Sequence, residues 1–181
     1  DVKCTAALQG HILKHGGRPL MWKTGHSLIK AKMKETHAEL AGEMSGHFFF
    51  AERWFGFDDG IYAAARLLEI LAAAPEGIQS VFDGLPKLVS TPELKIEVEE
   101  GLQHVFIGRF QKEAVFEGAR INQIDGLRAD WKDGWGLVRA SNTTPVLVLR
   151  FEAESAEALA RIQGEFRNQL LALDSGLILP F

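Results

Sequence analysis

Two short runs of this chain concentrate side chains able to hold anions and hydroxyl groups. Arg139-Ala140-Ser141-Asn142-Thr143-Thr144-Pro145 has the composition of a phosphate cradle. An arginine fork grips two phosphate oxygens at once. Hydroxyls, an amide and the backbone N–H groups of a turn can take the rest. The same residues also suit an ordinary Ser/Asn/Thr/Pro turn. In the second run, Gly42-Glu43-Met44-Ser45-Gly46-His47, a carboxylate, a hydroxyl and an imidazole alternate between glycines. In an extended segment such positions project to one side, so Glu43, Ser45 and His47 would line one surface. The first two suit vicinal hydroxyls, and an imidazole with an unperturbed pKa near ~6.5 can pass a proton at neutral pH. Taken singly, each also has a plain structural use as a loop charge, a turn hydroxyl or a satisfied histidine.

Strands must hold the first run on both sides. Trp135-Gly136-Leu137-Val138 precedes it and a strand from Val146 to Phe151 follows, which makes the run a tight connection. Around it, Glu93 to Glu99 alternates apolar and polar residues as a strand with one wet face does. Leu102, Val105, Phe106, Phe110 and Ala114 trace an amphipathic helix. Asp125-Gly126 and Asp133-Gly134 read as hairpin turns, and Ser155 caps a closing helix that runs to Leu173. This β-α-β-β-β-α order predicts an α+β domain, an antiparallel sheet with helices on one face.

The second run needs a different frame. Helical patterns run from Thr5 to His15 and from His26 onward, with Pro19 to Trp22 as a short apolar strand between them. Phe48-Phe49-Phe50 reads as a buried strand. Ile61, Ala64, Ala65, Leu68 and Ile70-Leu71 mark a helix from Asp58 to Ala73. Asp58-Asp59-Gly60 heads that helix and suits capping. Trp54 and Phe55 are expected to pack between loop and helix. Such alternation favours an α/β domain with a mostly parallel sheet. Pro75 and Gly84-Leu85-Pro86 punctuate the chain, which sets domains at 1–87 and 88–181.

Composition agrees with packed globular domains: of 181 residues, 46% are hydrophobic and 24% charged,. No apolar run approaches ~18 residues, and no signal-peptide pattern is present. The single cysteine, Cys4, rules out an internal disulfide and fits a reducing cytoplasm,. Net charge is −4, with ten basic and ten acidic residues in 1–87 against ten and fourteen in 88–181. Neither half is basic, which argues against nucleic acid as a main partner. Any anion must meet cations gathered locally, and Arg139, Lys3 and His26 are the candidates. There are no internal repeats or low-complexity tracts.

Gly42 to His47, then Arg53-Trp54-Phe55-Gly56-Phe57-Asp58-Asp59-Gly60, then Arg139 to Pro145, resemble in that order the C-terminal half of bacterial phosphomannomutase/phosphoglucomutase, in the α-D-phosphohexomutase superfamily. The resemblance runs from Asp1-Val2-Lys3-Cys4-Thr5 to Pro180-Phe181. It implies a four-domain cytoplasmic isomerase in which a phosphoserine donates its phosphoryl group to a hexose 1- or 6-phosphate. The resulting 1,6-bisphosphate reorients and returns the other phosphoryl group. Glucose 1-phosphate and mannose 1-phosphate are the implied substrates, Mg2+ the implied metal, and glucose 1,6-bisphosphate the intermediate and activator.

The resemblance makes residues 1–87 the third domain, an α/β/α mixed-sheet unit lacking its beginning, and 88–181 the fourth, which binds the phosphate not being transferred. Glu43 and Ser45 match residues that bind the 3- and 4-hydroxyls. His47, Lys3 and His26 match positions near the reacting oxygen and phosphate, with His47 the proton-transfer candidate. Arg139, Ser141, Asn142 and Thr143 match the phosphate loop. The phosphoserine loop and the aspartate-rich magnesium loop do not occur in this sequence. No metal ligands are therefore expected here. The chain also opens without a methionine or a leading strand, so a longer polypeptide is expected, with this part inactive alone and its missing N-terminal domains as partners. Phosphoglucosamine mutase, which carries Gln where Met44 stands, is the nearest alternative. A non-catalytic phosphosugar-binding module and a purely structural fragment with collapsed loops are the others.

Overall fold

The computed structural model describes residues 1–181 and divides them into two compact units. One comprises Ala7–Lys87 with Asp1 and Lys3; the other comprises Leu88–Phe181 with Val2 and Cys4–Ala6.

The first unit contains helices α1 (Ala7–Lys14), α2 (His26–Thr36), α3 (Gly60–Ala72) and α4 (Ile78–Asp83), with strands β1 (Leu40–Gly42) and β2 (Phe48–Phe50) between α2 and α3. Ile29 and Met33, four apart on α2, share one helix face and bury against Phe49 of β2 with Ala38 and Ala41 beside them. Strands β1 and β2 form an antiparallel hairpin with Gly42 opposite Phe48. That pair is the unit's only sheet, where a mostly parallel one was expected. Pro19 to Trp22, expected as a strand, forms none.

Helix α3 starts at Asp59, whose Oδ1 accepts the Tyr62 N–H at 2.9 Å. Trp54 stacks on the Tyr62 ring, 4.3 Å between centroids, and its Nε1 donates to Asp59 Oδ2. Trp54 thus packs between loop and helix as expected, but Phe55 is 79% exposed. The apolar stripe of α3 is not a core face either. None of its residues is buried, and Ile61 is 87% exposed.

The second unit is a six-stranded antiparallel sheet with two helices. Its strands are β3 (Val89–Ser90), β4 (Leu94–Glu97), β5 (Arg120–Asn122), β6 (Leu127–Trp131), β7 (Gly134–Ala140) and β8 (Val146–Ala153). The order is β3-β8-β7-β6-β5, with β4 also paired to β8. Alternate residues Leu127 and Ala129, Val138 and Ala140, and Leu147, Leu149 and Phe151 form the core face. Phe106, Ile107 and Phe110 of α5 (Leu102–Glu113) and Ile162, Phe166 and Leu170 of α6 (Ala156–Leu173) cover it. Both helices therefore lie on one face, as the element order predicts. Ser155 caps α6 by accepting the Ala158 N–H. The β6–β7 turn is Lys132-Asp133, because Trp131 pairs with Gly134; the turn sits one residue earlier than Asp133-Gly134.

The opposite face of this sheet sets charged residues among Trp135, Leu137 and Val148 and is still buried. Arg128 donates through Nη1 to the carbonyls of Val2 (2.7 Å) and Cys4 (3.0 Å), pairs with Asp130 and lies 3.7 Å over the Trp135 ring. Burial pulls its pKa below the ordinary arginine value, while the hydrogen bond and charge of Asp130 and the charge of Glu152 oppose the shift. Glu152 Oε1 accepts from Trp135 Nε1, Thr5 Oγ1 and the Ala6 N–H. Two buried charges thereby hold the segment Val2–Ala6 on the sheet, each satisfied by several hydrogen bonds as burial demands.

Candidate functional site: two loops with separate chemistries

The Gly42–His47 run is not extended. The Glu43 N–H donates to the His47 carbonyl at 2.9 Å and the Gly46 N–H to the Glu43 carbonyl at 3.0 Å, which closes a tight loop between β1 and β2. Gly46 sits at φ +92°, a conformation a side chain would strain,. The i, i+2, i+4 projection therefore fails here, and the turn sorts the three side chains. Glu43 points inward, 6% exposed, and its Oε1 accepts the Gly25 N–H at 2.6 Å. Ser45 and His47 stay exposed at the rim.

Gly25 is the N-cap of α2, so a buried carboxylate meets the positive end of that helix,. His26 is the first residue of the same helix, exposed, with Ser27 Oγ 3.4 Å from its Nδ1. The Glu43–Gly25 bond thus brings His26 to the sugar-loop candidates. Lys3 is buried, and its backbone N–H donates to Asp1 Oδ1. Asp1 in turn bonds Thr24 and the Gly42 carbonyl, which ties this segment to both loops. His47 has a partner that the capping expectation overlooked: its Nδ1 is 2.5 Å from Asp58 Oδ2.

The second loop joins β7 to β8. Arg139, the penultimate residue of β7, is 5% exposed and donates through Nε to Asp125 Oδ2 at 3.0 Å. The terminal nitrogens lie outside that bond. Ser141 Oγ accepts the N–H groups of Thr143 (3.3 Å) and Thr144 (3.2 Å) and contacts Thr144 Oγ1 at 2.9 Å. The expected backbone donors are thus turned inward on Ser141, and Asn142 and Thr143 remain exposed. In the sequence, Asp125-Gly126 signals only a hairpin turn. The place of Asp125 two residues before β6 puts it beside Arg139, a relation visible only once the β6–β7 register is known.

Models of two domains match the chain. "Phosphoglucomutase/phosphomannomutase, alpha/beta/alpha domain III" covers residues 1–89, and "Phosphoglucomutase/phosphomannomutase, C-terminal domain" covers 93–169. The chain belongs to the phosphoglucomutase/phosphomannomutase family. A phosphomannomutase/phosphoglucomutase of Pseudomonas aeruginosa is 60% identical over all 181 residues, which cover 39% of its length. A phosphoglucomutase of Neisseria gonorrhoeae is 57% identical over 169 residues, or 92% of this chain and 36% of that protein. The crystal structure of a phosphoglucomutase/phosphomannomutase family protein from Burkholderia thailandensis superposes with a TM-score of 0.92 at 56% identity, covering all of this chain and 38% of that one. The chain spans about two fifths of the length of the curated relatives it matches.

The magnesium ion that the family resemblance implies has no home among these residues. No three His, Cys, Asp or Glu side chains stand together to hold a metal. Asp59 serves the α3 cap and Trp54, and Asp58 serves His47. These residues do not fit the ion. No helix is long and apolar enough to cross a membrane.

Proposed function

We propose that the longer protein interconverts hexose 1-phosphate and hexose 6-phosphate of the glucose and mannose series through a 1,6-bisphosphate, with the phosphoserine and magnesium supplied from outside this chain. Residues 1–87 read the sugar and residues 88–181 hold the phosphate that is not being transferred. Glu43 and Ser45 take the 3- and 4-hydroxyls, and glucose and mannose differ only at C2, so the same pair accepts both. His47 moves the proton, with Lys3 and His26 adding charge near the reacting phosphate. Arg139, Ser141, Asn142 and Thr143 hold the distal phosphate, so binding energy far from the chemistry positions the reacting hydroxyl.

The observation that carries this reading is Arg139. A nearly buried guanidinium holds one carboxylate on Nε, on a residue two positions before the hydroxyl- and amide-rich turn that opens at Ser141. That is the fork a phosphate oxygen pair requires. Calorimetry of glucose 1-phosphate with this chain, beside Arg139→Ala, tests it. Binding that weakens by roughly 2–4 kcal/mol in the variant is expected. Equal affinity in both proteins sinks the assignment of Arg139.

A further inference from the structure

We propose that Asp58 is the positioning residue for His47, fixing its imidazole with the proton on Nδ1 and Nε2 bare toward the substrate hydroxyl. This rests on the reading of His47 as the proton-transfer group.

The geometry comes first. Nδ1 of His47 and Oδ2 of Asp58 are 2.5 Å apart. An ionised carboxylate only accepts, so the shared proton belongs to Nδ1 and the neutral ring is left with a bare Nε2. The backbones of both residues are anchored to one strand. The His47 carbonyl closes the loop from Glu43 one residue before β2. Asp58 forms an antiparallel backbone bridge with Phe49, the fully buried middle residue of β2. His47 and Asp58 are therefore diagonal neighbours across a two-stranded register, within reach of each other's side chains.

The neighbouring carboxylates are already occupied. Asp59 uses Oδ1 for the Tyr62 N–H and Oδ2 for Trp54 Nε1, while Glu43 holds the Gly25 N–H. Asp58 is not needed for the α3 cap, and His47 is its one side-chain partner. Nor is stability a sufficient reason for the pair. The His47 side chain is 51% exposed, and exposed ion pairs contribute little. What the bond does supply is orientation, as in any base held by a third group. In the transfer step the hydroxyl proton goes to Nε2. That oxygen's lone pair forms the new bond to phosphorus, and the bond from phosphorus to the phosphoserine oxygen breaks, its electron pair leaving with that oxygen. The Asp58 charge stabilises the imidazolium so formed.

Two measurements test the proposal. Imidazole 15N spectra of this chain should show neutral His47 with its proton on Nδ1. In Asp58→Asn the proton should move to Nε2, while the Phe49 amide signal keeps its folded position. In the longer protein, Asp58→Asn should lower kcat about tenfold or more with KM within about twofold. A wild-type ring protonated on Nε2, or an Asp58→Asn protein with unchanged tautomer or unchanged kcat, overturns the role of Asp58. His47→Gln with undiminished turnover instead removes the catalytic reading of His47, and the spectra tell the two failures apart.

Discussion

The Gly25 N–H donates to Glu43 Oε1 across 2.6 Å, joining the first turn of α2 to the buried end of the β1–β2 loop. One carboxylate therefore has a folding task and a proposed recognition task. Glu43→Ala leaves the Gly25 N–H without its acceptor and should destabilise the first unit by about 1–3 kcal/mol. Glu43→Gln retains an acceptor oxygen and should lose less. Urea unfolding followed through amide signals of α2 distinguishes them, and equal loss in both variants would show that charge at the helix terminus outweighs the hydrogen bond.

Arg128 should be among the least replaceable residues of the second unit. It is buried and holds two carbonyls, Asp130 and the Trp135 face together. Arg128→Ala leaves Asp130 unpaired and should cost about 3–5 kcal/mol. Lysine keeps the charge but not the planar fork, so Arg128→Lys should recover little. Trp135 fluorescence during unfolding reports both.

Gly136 leaves no room for a side chain between the sheet and α6. A Cβ there would meet Phe166 at 2.5 Å and Phe151 at 2.9 Å. Both rings are fully buried, so neither can swing away. Gly136→Ala should destabilise by about 1–3 kcal/mol through overpacking, read as a lowered melting temperature.

Acid should loosen the Arg53–Glu69 contact. Two hydrogen bonds from Arg53, then its charge, hold the Glu69 carboxyl below its ordinary range. A carboxyl lowered in the folded state contributes stability above its unfolded pKa, about 4.3, and loses it as pH falls through the folded value. The melting-temperature gap between the protein and Glu69→Gln should therefore close as pH drops below about 4. A gap constant from pH 6 to 3 would show that the pair is structurally idle.

Local rules carried the sequence reading where a feature needs only neighbours. The Ser155 cap, the Leu102 and Ser155 helices and the strands either side of the Ser141–Pro145 turn follow from spacing and capping, though β7 runs on through Arg139 and Ala140. Pro19 to Trp22 went wrong because apolar content alone does not supply a pairing partner, while β1 was passed over because Leu40-Ala41-Gly42 is too short to show a period. Turn chemistry explains the inward Glu43: alternation predicts a shared face only in extended chain, and Gly46 bends it. Asp58 and Asp125 escaped notice for a different reason. Each was assigned the nearest local job, cap or turn, while its structural partner lies across a strand register.

Residues Val2 and Cys4–Ala6 dock on Arg128 and Glu152, 126 and 147 residues away for the Val2–Arg128 and Thr5–Glu152 bonds. The second unit is thus discontinuous in sequence, and this face closes only when Val2–Ala6 meets β6 and β8. During synthesis Val2–Ala6 are made before their partners, so the Val2 and Cys4 carbonyls wait for Arg128 of β6 and the Thr5 and Ala6 donors for Glu152 of β8. Loop closure over such a span is slow compared with hairpin formation. Pulse-labelled refolding should therefore protect the Ala6 amide last, after those of β7 and β8.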